Sequence, residues 1–146
     1  MAALYHDIWY EPGAPTGENE QKSLDIMSEL WSNHETEGRV VEMVEATAKH
    51  GKMERTHSPN RNVQLFMDAD IAGLGCPWPR FVVQNEEVDT EFLTVFDKEQ
   101  VAKGRRAFLE SMLAKETIYL SRYFGEHLEW RARENIQRLL WEMNQA

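Results

Sequence analysis

The sequence predicts an all-α fold, a single bundle of about six helices, on three observations. Apolar residues recur at spacings of three and four in several separate stretches, and glycines and prolines bound those stretches. No stretch alternates apolar and polar residues with the period of a half-buried strand.

Ala2 to Tyr10 are apolar or aromatic with His6 and Asp7 set among them, which predicts the end of a buried helix. Glu11-Pro12-Gly13-Ala14-Pro15-Thr16-Gly17 stops it, since two prolines and two glycines cannot continue a helix. The next helix is expected from about residues 16–19 to His34, with Leu24, Met27, Leu30 and Trp31 as its buried stripe. Gly38 then breaks the chain, and Val40, Val41, Met43, Val44 and Thr47 carry a further helix to His50. Residues 51–62 are polar and aperiodic, the pattern of an exposed loop. Val63 to Leu74 is helical by pattern, with Leu65, Phe66, Ile71 and Leu74 inward, and Gly75-Cys76-Pro77-Trp78-Pro79 ends it. Three helices follow at about 79–93, 97–114 and 124–144, two of them with stripes of Phe108, Leu109, Met112 and of Leu128, Ile136, Leu139, Met143. Leu93-Thr94-Val95-Phe96 reads as a connector.

A length of 146 residues suits one domain spanning residues 1–146, and 42% hydrophobic with 28% charged residues is ordinary for a folded chain. The apolar runs are too short for a signal peptide or a membrane span, so the expectation is a cytoplasmic protein with no membrane partner. The single cysteine, Cys76, has no internal partner and reads as a small buried hydrophobe. Twenty-five acids against sixteen Lys and Arg give a net charge of -9, which disfavours nonspecific nucleic-acid binding and suits a divalent cation.

His6 and Asp7, adjacent at a helix end, offer an imidazole nitrogen and a carboxylate, both good donors to a divalent metal, with a hydrogen-bonded structural pair as the alternative. In Phe66-Met67-Asp68-Ala69-Asp70-Ile71-Ala72 two carboxylates interrupt an apolar helix face, where carboxylates are rare without a partner or a metal. His50, at a helix end, offers a further imidazole or a proton donor to a phosphate, or simply caps the helix. His34, His57 and His127 lie in polar surroundings and read as solvent-facing.

Tyr5-His6-Asp7-Ile8-Trp9-Tyr10, Gly17-Glu18-Asn19-Glu20-Gln21-Lys22-Ser23, Ala46-Thr47-Ala48-Lys49-His50 and Leu65-Phe66-Met67-Asp68-Ala69-Asp70-Ile71-Ala72-Gly73-Leu74-Gly75 carry a resemblance to the metal-dependent HD-superfamily phosphohydrolases of bacteria. Val88-Asp89-Thr90-Glu91-Phe92 and Lys103-Gly104-Arg105 also fit, so most of the chain is covered in order. It implies an HD-domain-like helical bundle in which a His-Asp pair and a distant aspartate hold a divalent ion (Mn, Fe, Co, Zn or Mg), and that ion activates water for attack on phosphorus.

On this resemblance His6 and Asp7 are the pair, Asp68 is the expected distant ligand, and Asp70 stands in reserve. Glu20 is expected to orient water or a ligand histidine, with helix capping as its alternative, and His50 to assist catalysis. Lys22, Arg80 and Arg105 are expected to face a substrate phosphate. Such proteins carry a further helix with a histidine before the His-Asp pair, so the resemblance implies either a natural start upstream of this one or an N-terminally shortened domain, whose exposed apolar face would favour a homo-oligomer. The implied function is hydrolysis of a phosphate ester of a nucleotide or similar small metabolite. The alternatives are an inactive HD-fold module binding a nucleotide or protein partner, and a structural helical protein in which the His-Asp pair is a core hydrogen bond.

Overall fold

The computed structural model describes residues 2–30, 34–49 and 60–145. Among the described residues the chain is all helical: α1 Ala2–Tyr5, α2 Glu18–Leu30, α3 His34–Thr47, α4 Arg61–Asp70, a 3-10 turn Ala72–Gly75, α5 Trp78–Phe92, α6 Lys98–Ala114 and α7 Arg122–Met143. No helix among the described residues is long and apolar enough to cross a membrane.

Several helices begin where the local chemistry supplies a cap. Asn60 accepts from the amide of Asn62 at the start of α4, and Ser121 accepts from that of Phe124 at the start of α7. Asp97 and Gln100 form a reciprocal capping box at α6, each side chain accepting from the other's backbone N–H. Pro77 and Pro79 flank Trp78 at the start of α5, where missing N–H groups cost no helical hydrogen bond.

Four expectations need correction. α1 stops at Tyr5 rather than Tyr10, because the N–H and C=O of Trp9 are taken by the Ser23 hydroxyl at 3.2 and 3.1 Å instead of by a helical ladder. α3 runs through Gly38 without a break, since burial of Val40 and Val44 outweighs the cost of about 1 kcal/mol for a helical glycine. α4 ends at Asp70 rather than Leu74: Ile71 adopts φ -96° and ψ 11°, and the chain tightens into the 3-10 turn that delivers Leu74 to the core. Leu30 and Phe108, expected in buried stripes, are 66% and 42% exposed, whereas Met27, Leu109 and Met112 are buried. Trp31 lies outside the described residues.

The core has two lobes. Ala2, Leu24, Met27, Val40 and Val44 pack among α1, α2 and α3. Leu74, Phe81, Leu109, Met112, Tyr119 and Ile136 pack where α5, α6 and α7 meet the 3-10 turn. Between them Ala46, Val63, Met67 and Leu120 form a smaller cluster that joins the lobes.

Residues 115–121, between α6 and α7, leave the helix although Ile118, Tyr119, Leu120 and Ser121 are buried. Buried backbone outside a helix must find partners, and charged side chains supply them here. Glu129 accepts from the amides of Ile118 and Tyr119 at 2.9 to 3.1 Å. Arg133 donates to the carbonyls of Leu113, Lys115 and Glu116 at 2.9 to 3.2 Å. Asp68, fully buried on α4, accepts from the amides of Leu120 and Ser121, each at 2.7 Å. Hydrogen bonds to a charged acceptor contribute about 1.5–3 kcal/mol each, so Asp68→Asn, which leaves one amide facing an NH2 group, is expected to lower the urea unfolding free energy by about 3 kcal/mol. An unchanged unfolding midpoint would show that the clamp does not tie α4 to α7.

Candidate metal centre

His6 continues the last turn of α1, its amide bonding the carbonyl of Ala2 at 3.0 Å. The chain beyond Asp7 is then held against α2. Ser23, fully buried, brackets Trp9 as described, and one turn earlier Asn19 exchanges two hydrogen bonds with the backbone of Glu11 at 3.0 and 3.2 Å. The Asn19 side chain is thereby a clamp on the loop.

The imidazole stands edge-on to Phe66 of α4, with ring centroids 5.4 Å apart and planes at 89°. That contact points Nε2 at two carboxylates, Asp7 Oδ2 at 3.0 Å and Asp70 Oδ1 at 3.1 Å. The donor atoms of His6, Asp7 and Asp70 all lie within 4.8 Å of one another, although Asp70 is 64 residues along the chain from His6. The His6 side chain is 17% exposed, Asp70 26% and Asp7 63%, so the cluster is closed behind the imidazole and open to solvent over Asp7.

This donor set fits a divalent cation. Two carboxylates converge on one ring nitrogen that carries at most one proton. Ligand atoms about 2.1 Å from a metal and adjacent on an octahedron lie about 3.0 Å apart, which matches both observed separations. The buried Nδ1 of His6 has no hydrogen-bond partner among the described residues. The surroundings are also negative: burial first, then the charges of Glu91, Asp7 and Glu20, pushes the Tyr10 phenol above its ordinary range.

Asp68, expected as the distant ligand, is not the residue beside His6; Asp70 is. Two positions on an α-helix are rotated by about 200°, so the two carboxylates leave α4 on nearly opposite sides. One enters the clamp on Leu120 and Ser121, and the other reaches His6. Glu20 is half-buried on α2, close enough to Tyr10 for its charge to act on the phenol. His50 and His57 lie outside the described residues. His127 is exposed, stacked on Tyr123 with Nδ1 2.7 Å from the Tyr123 carbonyl.

The three expected phosphate-facing cations separate. Lys22 pairs with Glu18 at 2.8 Å and Glu11 at 3.8 Å and sits over the Trp9 ring, so it braces the loop after the His-Asp pair. Arg105 donates to the Asn85 side chain at 2.6 Å and to the Asn85 carbonyl at 2.7 Å, and it pairs with Asp89 at 2.6 Å. Burial works against its charge while Asp89 supports it, the condition of an internal brace between α5 and α6. Arg80 is exposed near the start of α5.

Arg80 and Arg105 line a cavity of about 1020 Å³ that begins at Asp70 and is walled by the 3-10 turn, α5 and α6. The sequence carried no signal for this cavity, and Ser23 stood in it only as the end of a matched run, with no sign of its hold on Trp9. Their roles depend on which faces of non-adjacent elements meet, and that is set only by the tertiary packing.

No family model, no curated protein and no solved structure matches this chain.

Cys76 also lines the cavity, where its thiol donates to Gln84 Oε1 at 3.4 Å. Burial raises its pKa, with a smaller opposing effect of Arg80, so less thiolate forms at a given pH than in an open cysteine. Alkylation by iodoacetamide at pH 8 is expected to be slower in the folded protein than in urea, with the two rates converging as the pH rises through the shifted value. Equal rates at pH 8 would contradict this.

Proposed function

We propose that the chain is a metal-dependent phosphohydrolase of the HD type, with His6, Asp7 and Asp70 holding one divalent ion. The reading rests on one observation above the others: side chains from two separate segments converge as an imidazole and two carboxylates at ligand spacing, beside a cavity large enough for a small metabolite. The His-Asp order and the distant aspartate also match the resemblance seen in the sequence, with the aspartate moved from Asp68 to Asp70.

When bound, a divalent ion there would lower the pKa of a coordinated water and polarise a phosphoryl oxygen. The chain's own residues do the rest. Phe66 fixes the imidazole plane, so that Nε2 already faces the two carboxylates that would hold the ion with it. The Ser23 and Asn19 clamps hold the loop after Asp7 and keep its carboxylate near the imidazole. Arg80, which lines the cavity that starts at Asp70, would pair with an oxygen of a phosphate bound there. Glu20, like Asp7, acts by its charge on the Tyr10 phenol, so it adds to the negative surroundings that favour a cation over a second anion. The substrate class is a phosphate ester of a nucleotide or similar small metabolite.

The test is turnover of p-nitrophenyl phosphate after chelation and reconstitution with Mn2+, Co2+ or Mg2+, in the wild type and in His6→Ala, Asp7→Ala and Asp70→Ala. Each substitution is expected to lower turnover by about a hundredfold or more while the melting temperature in chelator holds within a few degrees. Undiminished turnover in any of the three would remove the assignment. Absence of turnover with every metal would replace it with a binding module built on the same cluster.

A further inference from the structure

We propose that the cavity beside Asp70 takes an apolar substrate body, an aromatic ring system or an alkyl chain carrying a single phosphate, in preference to a nucleotide. The inference rests on the hydrolase reading and narrows its substrate class.

The wall is the first argument. Phe81, Phe92, Phe96 and Phe108 face the cavity with Val88 and Val101, aromatic and branched surface that favours an apolar guest. Its volume of about 1020 Å³ is ample for a bicyclic ring or a ten-carbon chain.

Charge is the second. The charged side chains in the lining are Asp70, Arg80, Asp89 and Arg105. Asp89 and Arg105 neutralise each other at 2.6 Å, and Asp70 belongs to the His6 cluster. Arg80 therefore remains as the lining cation for an anionic ligand, enough for one phosphate beside an ion and too little for a polyphosphate.

The amides of the wall are the third. Gln84 Oε1 accepts from the Cys76 thiol, and Gln100 Oε1 accepts from the Asp97 amide at 3.1 Å. Asn85 accepts from Arg105 through Oδ1 and donates to the Phe81 carbonyl through Nδ2 at 2.7 Å. With these three amide oxygens engaged inside the protein, the N–H donors of a nucleobase edge find few acceptors among the wall amides, and their desolvation would go uncompensated. An alkyl or aryl body makes no such demand.

Gly104 supplies the test. It lines the cavity from α6, and a Cβ added there meets no atom within 4 Å, so Gly104→Leu fills cavity space without a clash and with a better helix former. Steady-state kinetics with 1-naphthyl phosphate, geranyl phosphate and AMP would be compared in the metal-loaded wild type and Gly104→Leu, beside binding of 1-naphthol to the metal-free proteins. One of the two apolar esters is expected to exceed AMP in kcat/KM by about tenfold or more, and Gly104→Leu to raise its KM by about tenfold with no fall in melting temperature. Preference for the naphthyl ester would indicate a flat aromatic body, and preference for the geranyl ester a chain. AMP turned over as well as either apolar ester, or an unchanged KM in Gly104→Leu, would overturn the inference and leave the hydrolase reading standing. If no ester is turned over, the hydrolase reading fails instead. Saturable 1-naphthol binding that Gly104→Leu weakens would then still support the apolar cavity, and its absence would overturn that as well.

Discussion

The Asp68 carboxylate accepts from the amides of Leu120 and Ser121, and much of the molecule depends on that clamp. Without partners, residues 118–121 would be buried backbone with unmet hydrogen bonds, a cost that no amount of neighbouring apolar surface removes. Asp68 meets two of those groups, Glu129 two more, and Arg133 takes carbonyls at the end of α6. The consequence is rigid: α4 is tied to the entry of α7, and Ser121, which caps α7, is itself held by the clamp. The α1–α3 lobe and the α5–α7 lobe thus share one fixed joint, with Met67 and Leu120 packed around it.

That joint also sets the candidate site. With Asp68 turned into the molecule, Asp70 emerges from the other side of the last turn of α4, where it meets the imidazole of His6. Phe66 on the same helix abuts that imidazole. One short helix therefore supplies a structural carboxylate, an aromatic brace and the carboxylate that meets His6. The break at Ile71 then sends the chain into the 3-10 turn, which carries the cavity wall away from Asp70 and presents the carbonyls of Leu74 and Cys76 to Asn135 of α7, both at 2.9 Å. Cluster and cavity adjoin because they are the two sides of the same turn.

What the sequence made legible was periodicity and residue type. The helices from α4 onward fall close to the stretches that the apolar spacing marks, and the His6-Asp7 pair and the Asp68-Ala69-Asp70 run stand out as carboxylates and imidazole in apolar company. What it left hidden was direction. Periodicity could not separate Asp68 from Asp70, because both interrupt the same apolar stretch and only the position of residues 120 and 121, far along the chain, decides which one faces inward. It placed Leu30 and Phe108 in stripes whose neighbours bury and they do not. Lys22 and Arg105 read as candidates to face a phosphate because their partners lie on other turns or other helices: Glu11 and Glu18 for one, Asn85 and Asp89 for the other.

On the proposed reading His6, Asp7 and Asp70 together hold one divalent ion, and Asp68, engaged with Leu120 and Ser121, takes no part. Mn2+ binding to chelator-stripped protein, followed by electron paramagnetic resonance of the free ion, tests it most directly in the wild type and in Asp70→Asn. About one ion per chain in the wild type, with affinity lowered about tenfold or more in Asp70→Asn, is the predicted result. Absence of binding in the wild type, or equal affinity in the variant, would contradict the claim.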